Sequence, residues 1–233
     1  MGRAIILCYH KVGALAEEGR RLNVEPERLR SQIRYFARRN YSFLRAQDLA
    51  GSWPHRCVCF TFDDAYASTL AHAPPLFEEH GKRATFYAVA GKLGGSSDWD
   101  AELARPLADA KTLLGAQEAG HEIGNHTASH VHLADLEPAD QADEISEAHR
   151  LLASEGLNAG SFCYPYGSLC SNQVVKQHYK VAVSLLKGVA STSDDRAVLP
   201  RIVVAYSDSI PMLLYKIKVR PLLRQSRWKS GPR

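Results

Sequence analysis

The run Cys57-Val58-Cys59-Phe60-Thr61-Phe62 stops abruptly at Asp63-Asp64-Ala65. Six uncharged residues of strand-forming type describe a strand covered on both faces. Side chains alternate along a strand, so two adjacent carboxylates would diverge if the strand went on. Where the chain turns instead, both can reach one point. Carboxylates buried there are costly unless they are paired or bind a cation. Taken alone, the pair has two readings. Asp64 caps a helix that begins at Tyr66, or the two acids form a site.

The rest of the chain sets the frame for that strand. Ala4 to Tyr9 reads as a buried strand ending at His10. Pro26 to Arg39 reads as an amphipathic helix with Leu29, Ile33, Phe36 and Ala37 on one face. A helix from about Tyr66 to His80 is expected to break at Pro74-Pro75 and close at Gly81. Ala84 to Val89 is a strand, Pro106 to Ala119 a helix stopped by Gly120, and His121 to His126 a short strand. A long helix spans Pro138 to Glu155, with Gly156 as its stop. Ser161 to Tyr164 is a strand, Asn172 to Tyr179 a helix, and Val181–Leu185 and Leu199–Val204 are strands. This alternation with short connections argues for a mostly parallel sheet with helices outside it. An open doubly wound sheet and a small β/α barrel both fit. One domain is expected over 1–208, followed by a basic amphipathic helix or tail over 209–233.

Charge is informative mainly for where it lies. Seven Lys or Arg and no acid occur between Lys216 and Arg233; taken from the 29 basic residues they leave 22 against 25 acids. The body is therefore slightly acidic, which argues against nucleic-acid binding. Interleaved with Leu213, Leu214, Ile217, Leu222, Leu223 and Trp228, the basic tail suggests attachment to a membrane surface; a solvated tail is the plainer reading. Five cysteines, an odd number, sit mostly in apolar runs and favour free thiols and a reducing compartment. The N-terminal apolar run is too short for a secretion signal, and no stretch reaches the length of a membrane span. The expected location is cytoplasmic, at the inner membrane face if the tail binds there.

Polar residues collect at the C-terminal ends of expected strands, where α/β folds build sites. These are His10, Asp63-Asp64, the stretch His126 to His132, and Tyr164-Pro165-Tyr166. His126 and His130 are four apart, a spacing that a helix or a looped turn can present on one side. Two imidazoles and a carboxylate are a usual ligand set for a divalent catalytic metal.

Three stretches carry a family resemblance. Thr61-Phe62-Asp63-Asp64, His126-Thr127-Ala128-Ser129-His130 and Phe162-Cys163-Tyr164-Pro165-Tyr166-Gly167 resemble, in order and spacing, three motifs of the polysaccharide deacetylases. These are the carbohydrate esterases of family 4 that share the NodB homology domain. The first motif usually has Gly where Ala65 stands, and the third usually has Arg where Cys163 stands. Leu7-Cys8-Tyr9-His10-Lys11-Val12 further resembles the start of the circularly permuted subgroup that deacetylates poly-N-acetylglucosamine.

The resemblance implies a distorted NodB-like β/α barrel of about seven strands and metal-dependent removal of N-acetyl groups from hexosamine units in a polysaccharide, lipid-linked glycan or glycolipid precursor. It implies Asp64, His126 and His130 as ligands of a divalent ion, zinc first, with nickel, cobalt or iron as alternatives. Asp63 is then the general base and His10 the general acid, replacing a histidine that the wider family carries near its C-terminus. The oxyanion is expected to meet a backbone N–H near Tyr164 or Tyr166. Arg201 is the candidate to orient Asp63 in place of the missing motif arginine; a structural ion pair is its alternative. His132 competes with His130 as a ligand, His121 reads as structural, and Asp98-Trp99-Asp100 reads as a loop bordering a sugar site. De-O-acetylation, hydrolysis of another linear amide and sugar binding without catalysis are the competing functions.

Overall fold

The computed structural model describes residues 2–219. In chain order the strands and helices begin with β1 (Arg3–Tyr9), β2 (Lys11–Val12), α1 (Leu15–Glu18), β3 (Asn23–Val24), α2 (Pro26–Ala37), β4 (Ser42–Phe43) and β5 (Cys57–Phe62). They continue with α3 (Ala67–Glu78), β6 (Thr85–Ala88), α4 (Ala110–Glu118), β7 (Glu122–Asn125), α5 (Pro138–Ser154) and β8 (Phe162–Cys163). The last are α6 (Asn172–His178), β9 (Ala182–Lys187), β10 (Ala190–Ser191), β11 (Leu199–Val203) and α7 (Ile210–Leu214).

The parallel order β1-β11-β9-β8-β7-β6-β5 closes on itself because β5 also pairs with β1, from Ala4↔Cys57 to Tyr9↔Phe62. The result is a closed barrel of seven parallel strands, with β4 and the antiparallel β10 flanking it. This is the expected distorted β/α barrel, and closure excludes the open sheet.

β5 shows why the opening run has no polar alternation. Val58, Phe60 and Phe62 pack outward; Phe60 lies 5.8 Å from the Phe36 ring of α2 and 5.1 Å from the Phe77 ring of α3. Cys57 and Cys59 face the other way, with Ala4, Ile6, Tyr87, Cys163 and Val183. Both faces are therefore buried, and both must be apolar. All five cysteines are free, and four are buried, acting as small fillers of the barrel's interior.

Three expectations about elements are corrected. α3 runs unbroken through Pro74 and Pro75. The prolines remove two backbone donors, but Leu70, Ala73, Leu76 and Phe77 are buried along one side and hold the helix. α4 starts at Ala110, not Pro106. Pro106 and Leu107 form extended bridges to Ser96 and Tyr66, and Asp109 then caps the helix by accepting from the Thr112 amide at 2.8 Å. β10 lacked any sequence signal. The expected stop at Gly156 is present: its φ of +77° lets Leu157 N–H reach back to Leu152 O at 2.9 Å.

The first turns of the expected tail belong to the body. Leu213 of α7 and Ile217 of the following wider turn (Tyr215–Val219) are buried in the main core. Lys216 donates to Val203 O and pairs with Asp208. The remainder of the expected amphipathic tail, with Arg220, Leu222, Leu223, Arg224, Arg227 and Trp228, lies outside the described residues. Among the described residues no helix is long and apolar enough to cross a membrane.

Candidate active site

The in-register pairing of β1 and β5 brings His10 beside Asp63, since Asp63 N–H donates to Tyr9 O at 2.9 Å. Just past that bond the chain turns sharply. Asp64 and Ala65 both take left-handed backbone, with φ of 70° and 51°. The turn delivers both carboxylates to the same mouth of the barrel. Thr127, His130, Tyr166 and Leu22, which lines the same mouth, are left-handed as well, so six of the eight described non-glycine residues with positive φ lie at this one end. Such backbone costs energy and persists only where the surroundings over-determine it.

Asp63 is held by Arg201. The guanidinium reaches in from β11 and donates to both carboxylate oxygens at 2.7 Å. Its remaining donors go to Thr61 Oγ1 (2.9 Å), Ser184 O (2.9 Å) and Cys163 Sγ (3.1 Å). The thiol at the position where the resemblance leads one to expect arginine therefore receives an arginine from another strand. Both partners are buried. Burial pushes the Asp63 carboxyl up, but Arg201 more than offsets it and leaves it at about 2. Cys8 Sγ donates to Asp63 Oδ2 at 3.5 Å, and His10 Nε2 lies 4.0 Å from the same oxygen.

Asp64 faces the two histidines. Its Oδ1 is 3.3 Å from His126 Nε2 and 3.0 Å from His130 Nε2. At those distances the oxygen is nonetheless a buried atom without a hydrogen-bond partner among the described residues. His126 Nδ1 lies 2.7 Å from Cys163 O. A carbonyl only accepts, so Nδ1 carries the proton and a neutral ring presents a lone pair at Nε2. His130 Nδ1 meets Tyr166 Oη at 3.1 Å. The three ligand atoms lie within 4.8 Å of one another. Convergent lone pairs around an orphaned oxygen fit a divalent cation.

Two neighbouring groupings are less suited to a metal. Cys8–His10–Asp63 and Asp63–His126–Cys163 are also compact. Both use Asp63, whose oxygens are committed to Arg201, and both use thiols that burial pushes well above their usual range. Those thiols stay protonated and are poor ligands.

The mouth is a cavity of about 290 Å³ lined by His10, Asp63, Asp64, Trp99, His126, His130 and Tyr166, among others. Trp99 stacks on His130 at 4.0 Å and borders the cavity, as does Asp100. Asp100 accepts from Tyr66 Oη at 2.6 Å, and the Arg21 guanidinium stands 3.9 Å from it at the rim. A larger cavity of about 800 Å³ beside Gln32, His72 and Ser209 contains no such constellation.

The remaining sequence candidates separate clearly. Tyr166 lines the cavity, half-exposed. Tyr164 does not line it. Its amide continues the β8–β9 pairing with Val183 O at 3.3 Å, and its hydroxyl donates to Ala197 O at 2.8 Å inside the core. The expectation that Tyr164 offers an oxyanion donor is corrected for that reason. His132 stacks on the outer side of Tyr166 at 3.9 Å and is exposed, so His130, not His132, joins the ligand cluster. His121 sits at the opposite end of β7, where its Nδ1 accepts from Ala84 N–H at 3.2 Å. Trp99 and Asp100 stand in the loop expected to border the site. Arg21 and Glu144, which grips the 126–130 loop, are not singled out by the sequence because they arrive from other segments, and Tyr66, two residues past Asp64, reads only as the start of a helix.

Comparison with known proteins agrees with this geometry. The family model described as Polysaccharide deacetylase matches residues 50–183. YxkH of Bacillus subtilis (strain 168) is 24% identical over 212 residues, covering 86% of this chain and 71% of that protein. The Streptococcus pyogenes deacetylase PplD, solved in complex with acetate, superposes with a TM-score of 0.79 at 23% identity, over 93% of this chain and 98% of that one. A de-N-acetylase from Aggregatibacter actinomycetemcomitans gives 0.77 at 15% identity, over 92% and 100%.

Proposed function

The chain belongs to the polysaccharide deacetylase family, and from that premise we propose that it hydrolyses the acetamide of an N-acetylhexosamine unit in a glycan or glycolipid. One observation carries the reading. A single small cavity brings together a carboxylate clamped by arginine, a separate carboxylate–dihistidine cluster with an orphaned oxygen, and a histidine next to the clamped carboxylate.

Asp64, His126 and His130 would hold the divalent ion, zinc being the first choice for this ligand set. When bound, such an ion polarises a carbonyl oxygen and acidifies water. The side chains divide the remaining work. Asp63 accepts the proton of the attacking water. Arg201 keeps Asp63 ionised and fixes the direction of its oxygens, at the expense of some basicity. His10 donates a proton to the departing nitrogen. That role favours amides over esters, because an amine leaves poorly without a proton and an alkoxide needs one less. Trp99 and Tyr166 offer ring faces beside the reacting centre for a pyranose to rest on.

Acetate release tests the proposal. Chito-oligosaccharides, poly-N-acetylglucosamine oligomers, lipid-linked N-acetyl sugars and O-acetylated glycans are offered with zinc, cobalt or nickel. N-acetyl substrates should be turned over, chelation should stop the reaction, and Asp63→Asn should lower the rate about 10²–10⁴-fold. Turnover of O-acetyl esters alone, or a rate that Asp63→Asn leaves unchanged, would overturn it.

A further inference from the structure

The 126–130 loop has one hydrogen bond of its own, from His130 N–H to Thr127 Oγ1 at 3.0 Å, and its other backbone bonds go to groups outside it. Thr127 and His130 are left-handed, with φ of 67° and 61°. Between them, the amides of Ala128 and Ser129 project to the side away from the cavity. Both donate to one oxygen of Glu144, at 3.0 and 3.1 Å, and Ser129 Oγ donates to the other at 2.6 Å. Successive amides converging on a carboxylate form an anion-binding nest, and here the anion is supplied from within the chain by α5.

The helix that supplies it is itself fixed to the loop's other end. Ile145 O, one residue on from Glu144, accepts from Asn125 Nδ2 at 3.2 Å, and Asn125 Oδ1 accepts from Thr127 N–H at 2.7 Å. One turn of α5 therefore grips the chain on both sides of His126. The loop carbonyls are taken from the opposite direction. Ala90 N–H donates to Thr127 O at 3.0 Å and Gly91 N–H to Ala128 O at 2.9 Å. A Cβ at Gly91 would stand 2.7 Å from Ala128 O, so only glycine allows that approach. Glu144 touches neither ligand ring, and its sequence neighbourhood is an ordinary amphipathic helix.

We propose that Glu144 is a positioning residue: it presets the 126–130 loop, and so the distance between His126 and His130, before any metal arrives. The inference rests on the metal reading of Asp64, His126 and His130. What matters is acceptor geometry. Glu144→Gln would keep an oxygen for the two amides and offer an NH₂ to Ser129 Oγ, whereas Glu144→Ala keeps neither.

Metal affinity of the full chain, read by competition with a chelating dye for Zn²⁺ and by the visible spectrum of Co²⁺, tests this without reference to turnover. Glu144→Ala should weaken binding 10–100-fold, the range found when groups that orient metal ligands are removed. Glu144→Gln should stay within about 3-fold of wild type, with an unchanged Co²⁺ spectrum. Glu144→Ala binding as tightly as wild type overturns the proposal. Hydrogen exchange of the Ala128 and Ser129 amides in the metal-free wild type gives a reading that no variant's folding can confound. Protection of about 10²-fold or more supports a preset loop, and exchange at the rate of a free chain overturns it. A wild type that binds neither ion sinks the metal reading itself, an outcome distinct from tight binding that ignores Glu144.

Discussion

Two buried carboxylates at opposite ends of this barrel behave in opposite ways. Asp63 sits at the C-terminal end of β5 and Glu122 at the start of β7, where the turn at residues 46–50 covers the barrel. Both are almost wholly enclosed. Asp63 has a guanidinium on its two oxygens and stands at about 2. Glu122 has only neutral donors, among them Gln47 N–H at 2.9 Å and Thr85 Oγ1 at 2.8 Å. Burial pushes it to about 7, and those hydrogen bonds recover only part of the shift. Depth is the same in the two places and the partner is not. Burial favours the neutral acid, and at Asp63 the opposite charge of Arg201 in fixed geometry reverses that.

The two groups therefore lose their contribution at opposite ends of the pH scale. Asp63 is depressed below its ordinary 3.8, so its ion pair contributes above that value and is lost as pH falls through about 2. Glu122 is raised above its ordinary 4.5, so its neutral form contributes fully below that value and is lost as pH rises through about 7.

The comparison can be broken most forcefully at Arg201. Arg201→Leu strands Asp63 as an uncompensated buried charge. It should cost about 3–5 kcal/mol of stability in urea unfolding and at least about 10²-fold in deacetylation rate. Arg201→Lys should recover part of the stability but little of the rate, because a point charge does not fix two oxygens at once. A rate close to wild type in Arg201→Leu would make the pair purely structural.

Glu122→Gln is the counterpart at the other end. The shift from 4.5 to about 7 corresponds to roughly 3 kcal/mol at most. The variant should lack the decline in melting temperature that the wild type shows between about pH 4.5 and 7, and should be the more stable of the two above that range. Parallel pH curves for the two proteins would show that Glu122 stays ionised throughout.

The smallest effect concerns backbone strain, which is gathered at the Asp63 end. Ala65→Gly relieves left-handed backbone worth about 1 kcal/mol. It also loses a buried methyl worth about 0.8 kcal/mol. The two contributions nearly cancel, so the urea unfolding midpoint should scarcely move; a shift of more than about 1 kcal/mol would show that one of them dominates.

The cost of reading a chain only locally shows at particular residues. Asp63, Asp64, His126 and His130 were legible only in combination, since the Asp pair and the His pair each have a plainer reading alone and the motif order joins them. Arg201 was legible only indirectly, through the arginine missing at position 163. Tyr164 was misplaced because one further residue of strand pairing turned its amide and ring into the core. Pro74-Pro75 misled because helix propensity was weighed without the packing of Leu70, Ala73, Leu76 and Phe77.

By itself the sequence determined the alternation of strands and helices, the two-sided burial of β5 and the metal-type ligand set. The first two depend on residues close together in the chain, where periodicity acts directly; the third joins Asp64 to the 126–130 stretch and was read from the order of the motifs. Only the tertiary structure decided that the sheet closes, that Arg201 crosses the barrel's interior to Asp63, that Trp99 rather than His132 stacks on His130, and that Glu144 grips the ligand loop. The Arg201–Asp63 contact alone joins residues 138 apart. Such contacts are set by strand register and barrel closure, which no local pattern encodes.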